Sequence, residues 1–479
     1  MKKSLATAAR SFYGGYLYPA VNAAIVLIGH VTGLEYYFNI LNVLLFTASL
    51  FLCESFRHGI IFLVTFSYQV TPQHSPGVPS FTDYYFVGWR LVIVILLVLI
   101  FAAGMLFRLI KNRTFRRINF RDTPALLPLL MLCAAFLLNG VFSRSFVWQS
   151  ALLGFLEAGT YFSLFILFFH GITDGDMRDM RRYLPYVTSL IAWVILLEML
   201  NLYLTSDDII TDGSINKVGM VIGWGIWTTV GVCLAVLIPI LFYGAAESGR
   251  TSETVYYFVT ATLTAFGCLM TMSRNALLFG ALTYGASFIA VCVAGKRKRL
   301  FRILLAAGVV ILAAGCAVFW KKIYELFSDY FKYGISDNGR FDIWRYCMER
   351  FRESPIFGAG FFGLDPDPPL YPFPRFAHNT AVQVLCACGI AGAVAYTFYR
   401  VTSFIPFFRK PNLFKTMLFM SVMSLLLSSL LDIFMFSIQP IVYYTVCLAI
   451  AWRDYGGEAE FSVNPLAVNG TAPETEQPV

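Results

Sequence analysis

Long apolar runs alternate with short polar segments along most of this chain. Roughly fourteen runs approach the 20 or so apolar residues that a helix needs to cross a bilayer. They lie at about 14–33, 36–54, 58–71, 84–106, 123–141, 150–170, 185–203, 218–244, 255–272, 275–294, 300–319, 379–400, 412–432 and 437–452. The first run is not a cleavable signal, because it lacks a small-residue cleavage site and leads directly into further runs. The pattern predicts an all-α integral membrane protein with roughly 12–14 transmembrane helices.

Composition supports this class. The 479 residues are 58% hydrophobic and only 13% charged, and the mean hydropathy is +0.67. A soluble domain cannot bury that share of apolar side chains. Much of the surface of the folded chain is therefore expected to contact lipid.

The positions of Lys and Arg predict the orientation. If the N-terminus is inside, the inner segments hold most of these residues, including the GKRKRLFR run, whereas the short outer segments hold only Arg144 and Lys217. This asymmetry follows the positive-inside rule. We expect a multi-pass protein of the cytoplasmic membrane with both termini cytoplasmic. The net charge of +8 then requires no nucleic-acid partner.

The chain shows no pattern typical of a metal or cofactor site. All cysteines except Cys347 lie within predicted spans, and the Cys386-x-Cys388 pair has no His or Cys partners at metal-ligand spacing. The segment Asp365-Pro-Asp367 is surrounded by prolines and predicts a turn. GAGFFG at 358–363 matches a dinucleotide fingerprint, but it has no βαβ context, so a tight backbone turn is predicted instead.

One long polar segment divides the chain. We expect N-terminal transmembrane helices over 1–319, an extracytoplasmic loop over 320–378, C-terminal transmembrane helices over 379–455 and a disordered cytoplasmic tail over 456–479. A loop of this length is usually functional. Helical spacing of apolar residues predicts two amphipathic helices in the loop. The first lies on the membrane surface from Trp320 to Phe331, and the second carries a stripe of Phe341, Trp344, Met348 and Phe351.

Three helix starts are predicted on the outer side, and each carries a polar group suited to anion chemistry. Ser273 caps a helix that begins at Arg274, a second helix begins at Arg340, and His378-Asn379 precedes a third. Helix N-termini attract anions, and Arg forks match phosphate oxygens. A neutral histidine beside such a site is a candidate general base. Taken singly, such residues at span ends often only extend to the interface.

Three motifs in this order resemble the O-antigen ligase and O-antigen polymerase superfamily of bacterial membrane glycosyltransferases. They are MSRNALL, GRFDIWRYCMERFRESPIFGAGFFG and FAHNTAVQVLCACGIAGAVAY, within about 270–400. The matching positions are the Ser273-Arg274 pair, Arg340 with Trp344, the Pro355-x-x-Gly358-x-Gly360 turn, and His378 with Asn379. Residues before this region match only in being hydrophobic and multi-spanning.

The resemblance implies an all-helical, metal-independent enzyme. Its donor is a glycan on undecaprenyl diphosphate, and its acceptor is a glycan or a lipid-anchored sugar hydroxyl outside the cytoplasmic membrane. Two arginines, Arg274 and Arg340, hold the diphosphate, and His378 activates the acceptor. Ser273, Trp344 and Asn379 are the supporting residues. A ligase and a polymerase share these motifs, so the resemblance leaves both open.

Two other classes remain as alternatives. A lipid-linked oligosaccharide flippase would suit the many spans, but it should show matched halves or polar groups at the bilayer midplane. A structural membrane protein would not need paired Arg and His at outward helix starts. Intramembrane ionisable residues are functional candidates by default, and four of them receive no role here: Arg90, Glu157, Glu198 and Asp432.

Overall fold

The computed structural model describes most of the chain. It covers residues 2–69, 88–111, 125–144, 146–206, 210–211, 214–215, 220–223, 225–331, 339–362 and 377–454. The Asp365-Pro-Asp367 turn and the predicted disordered tail lie outside these residues.

The described residues form helices almost throughout. The helices are α1 (Lys2–Gly14), α2 (Leu17–Thr32), α3 (Glu35–Leu52), α4 (Gly59–Gln69), α5 (Trp89–Lys111), α6 (Leu126–Leu137), α7 (Trp148–Gly171), α8 (Asp174–Met177), α9 (Met180–Thr205), α10 (Trp227–Glu247), α11 (Thr251–Met270), α12 (Arg274–Ala294), α13 (Lys298–Phe331), α14 (Arg340–Glu353), α15 (Thr380–Phe408), α16 (Leu413–Ser428) and α17 (Ile438–Arg453). A 3-10 turn, Phe434–Phe436, links α16 to α17. Two short antiparallel pairs join β1 (Ile210–Thr211) to β2 (Ser214–Ile215) and β3 (Val221–Ile222) to β4 (Gly225–Ile226).

The predicted all-α membrane class is confirmed. Seven of the described helices are long and apolar enough to cross a membrane, and a bent pair formed by α1 and α2 makes an eighth candidate. Fewer helices reach full length than the roughly fourteen apolar runs predict. The reason is visible at α4, α6 and α16, which are apolar but contain only 11, 12 and 16 residues.

The predicted surface helix at 320–331 is not a separate element. Helix α13 runs without interruption from Lys298 to Phe331, so the boundary predicted between residues 319 and 320 lies inside it. The sequence between Ala317 and Phe331 contains neither Gly nor Pro, and nothing in it therefore favours ending the helix there. The second amphipathic helix is confirmed as α14, although Ile343 and Cys347 are its buried residues and Phe341 is exposed.

Helix α10 forms the centre of the bundle. Its sequence is apolar on every side, as expected for a helix surrounded by others, and its span window is entirely buried. Helices α9, α11, α12 and α16 pack around it. Gly231 allows the close approach of α12, because a Cβ at that position would lie 2.3 Å from the Cβ of Ala276.

Helix α15 continues to Phe408, beyond the end predicted at residue 400. Arg400, at the predicted end of this run, is consequently buried within the helix. Its guanidinium lies 4.6 Å from the ring centroids of both Tyr396 and Tyr444 and donates to the hydroxyl of Tyr161 at 3.2 Å. The arginine is thus stabilised by aromatic rings and a hydroxyl inside the bundle.

The turn that follows α14 is inserted into a break in α15. Gly389 has φ 68° and ψ −164°, which interrupts the helix. The carbonyls released at Cys386 and Ala387 accept hydrogen bonds from Ala359 and Gly360, both at 2.9 Å. Beyond the break, the amides of residues 390 and 391 donate to the carbonyls of residues 355 and 356, at 2.9 and 3.1 Å. These bonds satisfy the backbone groups that the break exposes.

Glycines permit this insertion. Gly358 and Gly360 have φ values of 74° and 87°, which confirms the predicted tight turn at GAGFFG. A Cβ on Gly358 would lie 2.3 Å from the carbonyl carbon of Ala387. The amide of Phe361, in the same turn, also donates a hydrogen bond to the side-chain oxygen of Asn139 at 3.2 Å. Helix α14 is therefore attached rigidly to the membrane bundle.

Candidate active site at one end of the helix bundle

The start of α12 is organised as the sequence predicts. Ser273 is the N-cap, and its hydroxyl accepts a hydrogen bond from the amide of Ala276 at 3.3 Å, which satisfies one free N–H of the first turn. Arg274 is exposed at this helix start. The neighbouring Asn275 is buried and donates to the carbonyl of Ser428 at 2.9 Å. The end of α16 therefore lies against the start of α12.

The start of α15 contacts the same segment. Asn379 is the N-cap and accepts from the amides of residues 381 and 382, at 2.9 and 3.1 Å. Its Nδ2 donates to the carbonyl of Leu430 at 2.8 Å, and the amide of Thr380 donates to the carbonyl of Ser429 at 2.9 Å. Because α12 and α15 both start beside residues 428–430, their positive dipole ends lie at one end of the bundle.

His378 forms a pair with Asp432 at this place. The Nδ1 atom of His378 lies 3.1 Å from Oδ1 of Asp432, and the two side chains are 34% and 14% exposed. Asp432 is itself held, since its Oδ1 accepts from the amide of Ile433 at 2.9 Å and its carbonyl accepts from the Thr380 hydroxyl at 3.2 Å. A carboxylate oxygen only accepts, so Nδ1 carries the proton of the bond and Nε2 is the basic nitrogen.

The backbone around His378 is held in an unusual conformation. His378 has φ 47°, in the left-handed region that side chains other than Gly rarely adopt. Ala377, which precedes it, donates from its amide to Oε1 of Gln383 and accepts at its carbonyl from Nε1 of Trp344, both at 2.7 Å. Such conformations persist where the surroundings determine them, and they cluster at functional sites.

Trp344 links α14 to the site. Its indole reaches the carbonyl beside His378, and its ring meets that of Phe341 edge to face at 5.4 Å. Arg340 lies four residues earlier on the same helix, and therefore on the same side of α14. Helix α14 begins at Arg340, with Gly339 as its N-cap at φ 75°. Arg340 thus begins the helix that Trp344 attaches to the segment before α15.

The arrangement combines an oriented histidine with helix starts that carry cations. The His378–Asp432 pair can accept a proton at Nε2 while the carboxylate stabilises the resulting imidazolium. The starts of α12 and α14 each add a guanidinium to a positive dipole end, which favours phosphate oxygens. In the described part of the chain, no three His, Cys, Asp or Glu side chains gather as a metal site requires.

The sequence did not assign three residues of this site. Asp432 was noted only as an ionisable residue near a span end, and nothing in the spacing connects it with His378. Asn275 and Gln383 are buried amides within helices, and each binds the backbone of another segment. A buried amide inside an apolar run is the one sequence signal that could have marked them, because it must find a partner.

Comparison with known proteins finds a family match over this part of the chain. Residues 259–397 match the family model described as O-antigen ligase. The matched region begins within α11 and ends within α15, so it includes Arg274, Arg340 and His378 but not Asp432. A search among curated proteins found no match. Residues 259–397 therefore form a domain of the O-antigen ligase family.

Proposed function

We propose that this protein transfers a glycan from undecaprenyl diphosphate to an acceptor sugar hydroxyl at the outer face of the cytoplasmic membrane, as an O-antigen ligase. The observation that carries the proposal is the His378–Asp432 pair at the start of α15, with the start of α12 beside the same segment. The family match supports a membrane glycosyltransferase of the ligase and polymerase type. The particular donor and reaction are what the family resemblance implies, and the arginines and histidine at the helix starts suit them.

In this reaction the acceptor hydroxyl attacks the anomeric carbon of the donor glycan. The new C–O bond forms as the bond to the diphosphate oxygen breaks, and undecaprenyl diphosphate leaves with the bonding electron pair. The hydroxyl proton passes to Nε2 of His378. Asp432 is a positioning residue, because it holds Nδ1 and stabilises the imidazolium without touching the substrate. Arg274 and Arg340 would stabilise the charge that develops on the departing diphosphate.

The position of the polar groups favours an enzyme over a flippase. His378, Arg274 and Arg340 all stand at helix starts, whereas a transporter of lipid-linked glycans is expected to place its site near the middle of its spans. A lipid-linked donor can reach helix ends from the membrane interface. The same placement suits a polymerase, whose acceptor is a second lipid-linked repeat.

Single-turnover transfer with purified protein and lipid-linked donor tests the proposal. His378→Ala should bind donor but transfer about 10²–10⁴-fold more slowly, the usual loss for a general base. His378→Asn should be equally slow, although it retains a polar side chain. Rapid transfer by His378→Asn would show that His378 only orients the helix start. Glu349→Gln, on the exposed face of α14, is the control and should transfer normally.

Asp432→Asn separates the positioning role from that of the base. The amide retains the shape of the side chain but no longer stabilises the imidazolium, so transfer should slow while donor binding is unchanged.

Supplying a lipid-anchored core glycan or a second lipid-linked repeat in the same assay distinguishes a ligase from a polymerase. Transfer to neither acceptor, together with movement of donor across the bilayer, would contradict the enzyme and support the flippase.

A further inference from the structure

A second polar site lies at the opposite end of α15 from His378. It is a small cleft, partly open to the surface, between the end of α15, the start of α16 and the end of α17. The lining residues are Pro406, Arg409, Lys410, Lys415, Ala451 and Trp452. Three of these six are cationic and none is acidic. The proposed reaction uses none of them.

One of the three cations is buried in the cleft, whereas Arg409 and Lys410 are exposed at its edge. Lys415 is only 3% exposed, and its ammonium donates to the carbonyl of Arg409 at 2.7 Å. A nearby carboxylate, Asp454, is already engaged, since Arg181 binds it at 3.1 Å and Asn412 at 3.2 Å. Lysines that only mark topology extend into water. A buried lysine beside two further cations instead favours an anionic ligand.

Two further features point to an anion. The α16 helix begins at Leu413, and Asn412 caps it by accepting from the amide of Lys415 at 2.9 Å. Its first turn has no acidic residue, so no carboxylate neutralises the positive end of its dipole. Trp452 is 7% exposed, and within the described residues its indole N–H has no hydrogen-bond partner. Buried indole donors usually have one. The cleft therefore combines three cations, a helix start and an unsatisfied donor.

The surroundings identify the source of the anion. The last turns of α15 expose Val401, Ile405 and Phe408, at 57%, 45% and 66%, and these residues share one side of the helix. Apolar side chains exposed next to a cationic cleft suit acyl chains below a phosphate. Basic clefts between membrane helices are known to hold acidic headgroups. We propose that this cleft binds the phosphate headgroup of an acidic phospholipid.

The test uses the full chain reconstituted in phosphatidylcholine bilayers with or without phosphatidylglycerol. Lipid retained after extraction is counted by native mass spectrometry. Wild type should retain phosphatidylglycerol in preference to phosphatidylcholine. A basic side chain near a membrane surface contributes a factor of about five to acidic-lipid binding, so the Arg409→Gln/Lys410→Gln double variant should retain roughly 25-fold less. Trp452→Phe, which removes only the N–H donor, should weaken retention while thermal stability in phosphatidylcholine remains unchanged.

A matched variant tests whether the loss of lipid is specific to the cleft. Lys298→Gln/Arg299→Gln removes the same charge from exposed positions at the start of α13 and should retain lipid as wild type does. Equal losses of retained phosphatidylglycerol in the two double variants would show that retention depends only on surface charge, and this would contradict the proposed site. Undiminished retention in the Arg409→Gln/Lys410→Gln variant would also overturn it. Inorganic phosphate is the second probe: stabilisation by phosphate with no preference for phosphatidylglycerol would assign the cleft to a free anion.

Discussion

Gly389→Ala should release the turn that attaches α14 to the bundle. Gly389 has φ 68° and ψ −164°, a region essentially restricted to glycine. A Cβ there would lie 2.3 Å from the carbonyl oxygen of Ile356 and 2.6 Å from the amide nitrogen of Gly358. All these contacts are with backbone, so no side-chain rotation relieves them. The turn must therefore move away from α15.

The structure sets the magnitude. The backbone conformation alone costs an alanine about 1–3 kcal/mol. Separation of the turn breaks the bonds that Ala359 and Gly360 donate to α15 and those that residues 390 and 391 donate to the turn. At about 0.5–1.5 kcal/mol for each bond, these four add about 2–6 kcal/mol. The total of roughly 3–9 kcal/mol is comparable with the whole stability of a domain. Separation of the turn alone costs less free energy than unfolding the whole bundle, so the turn is expected to separate while the bundle stays folded.

Limited proteolysis and thermal unfolding in detergent measure this effect. Gly389→Ala should be cut within residues 354–362 much faster than wild type, melt earlier and lose transfer activity, because Trp344 no longer holds the carbonyl beside His378. Gly285→Ala in α12 is the control: a Cβ there meets nothing within 4 Å, and alanine favours a helix by about 1 kcal/mol. Wild-type proteolysis and melting in Gly389→Ala would refute the inserted turn.

The remaining predictions concern the site and its orientation. Arg274→Lys and Arg340→Lys should each slow transfer about tenfold or more, because a point charge replaces a fork on phosphate; wild-type turnover in both would exclude a shared diphosphate site. Trp344→Phe should lose about 1–3 kcal/mol in thermal unfolding by leaving the Ala377 carbonyl unsatisfied, and unchanged stability would contradict that bond. Glu349→Cys should react with an impermeant maleimide from outside and Lys298→Cys only after permeabilisation; the nine native cysteines whose side chains are described are buried, and the reverse labelling would invert the topology.

Local properties of the sequence determined the class and the helix starts. A long apolar run needs no distant partner to become a membrane helix, because each helix satisfies its own backbone in lipid. Ser273 and Asn379 act on amides two or three residues away, so capping was predictable from the sequence. The left-handed turns at Gly358 and Gly360 were predictable for the same reason.

Tertiary packing alone decided how these pieces meet. Asp432 lies 54 residues from His378 in sequence, and its carboxylate resembles the other ionisable groups at span ends until α16 packs against α12. The break in α15 is filled by backbone amides and carbonyls of the turn, which every residue carries and which therefore leave no signal in the sequence. Span lengths also escaped prediction, because lipid and protein interior both favour apolar side chains. An apolar run thus shows that a segment avoids water, while its packing neighbours determine how much of it becomes helix and what the helix touches.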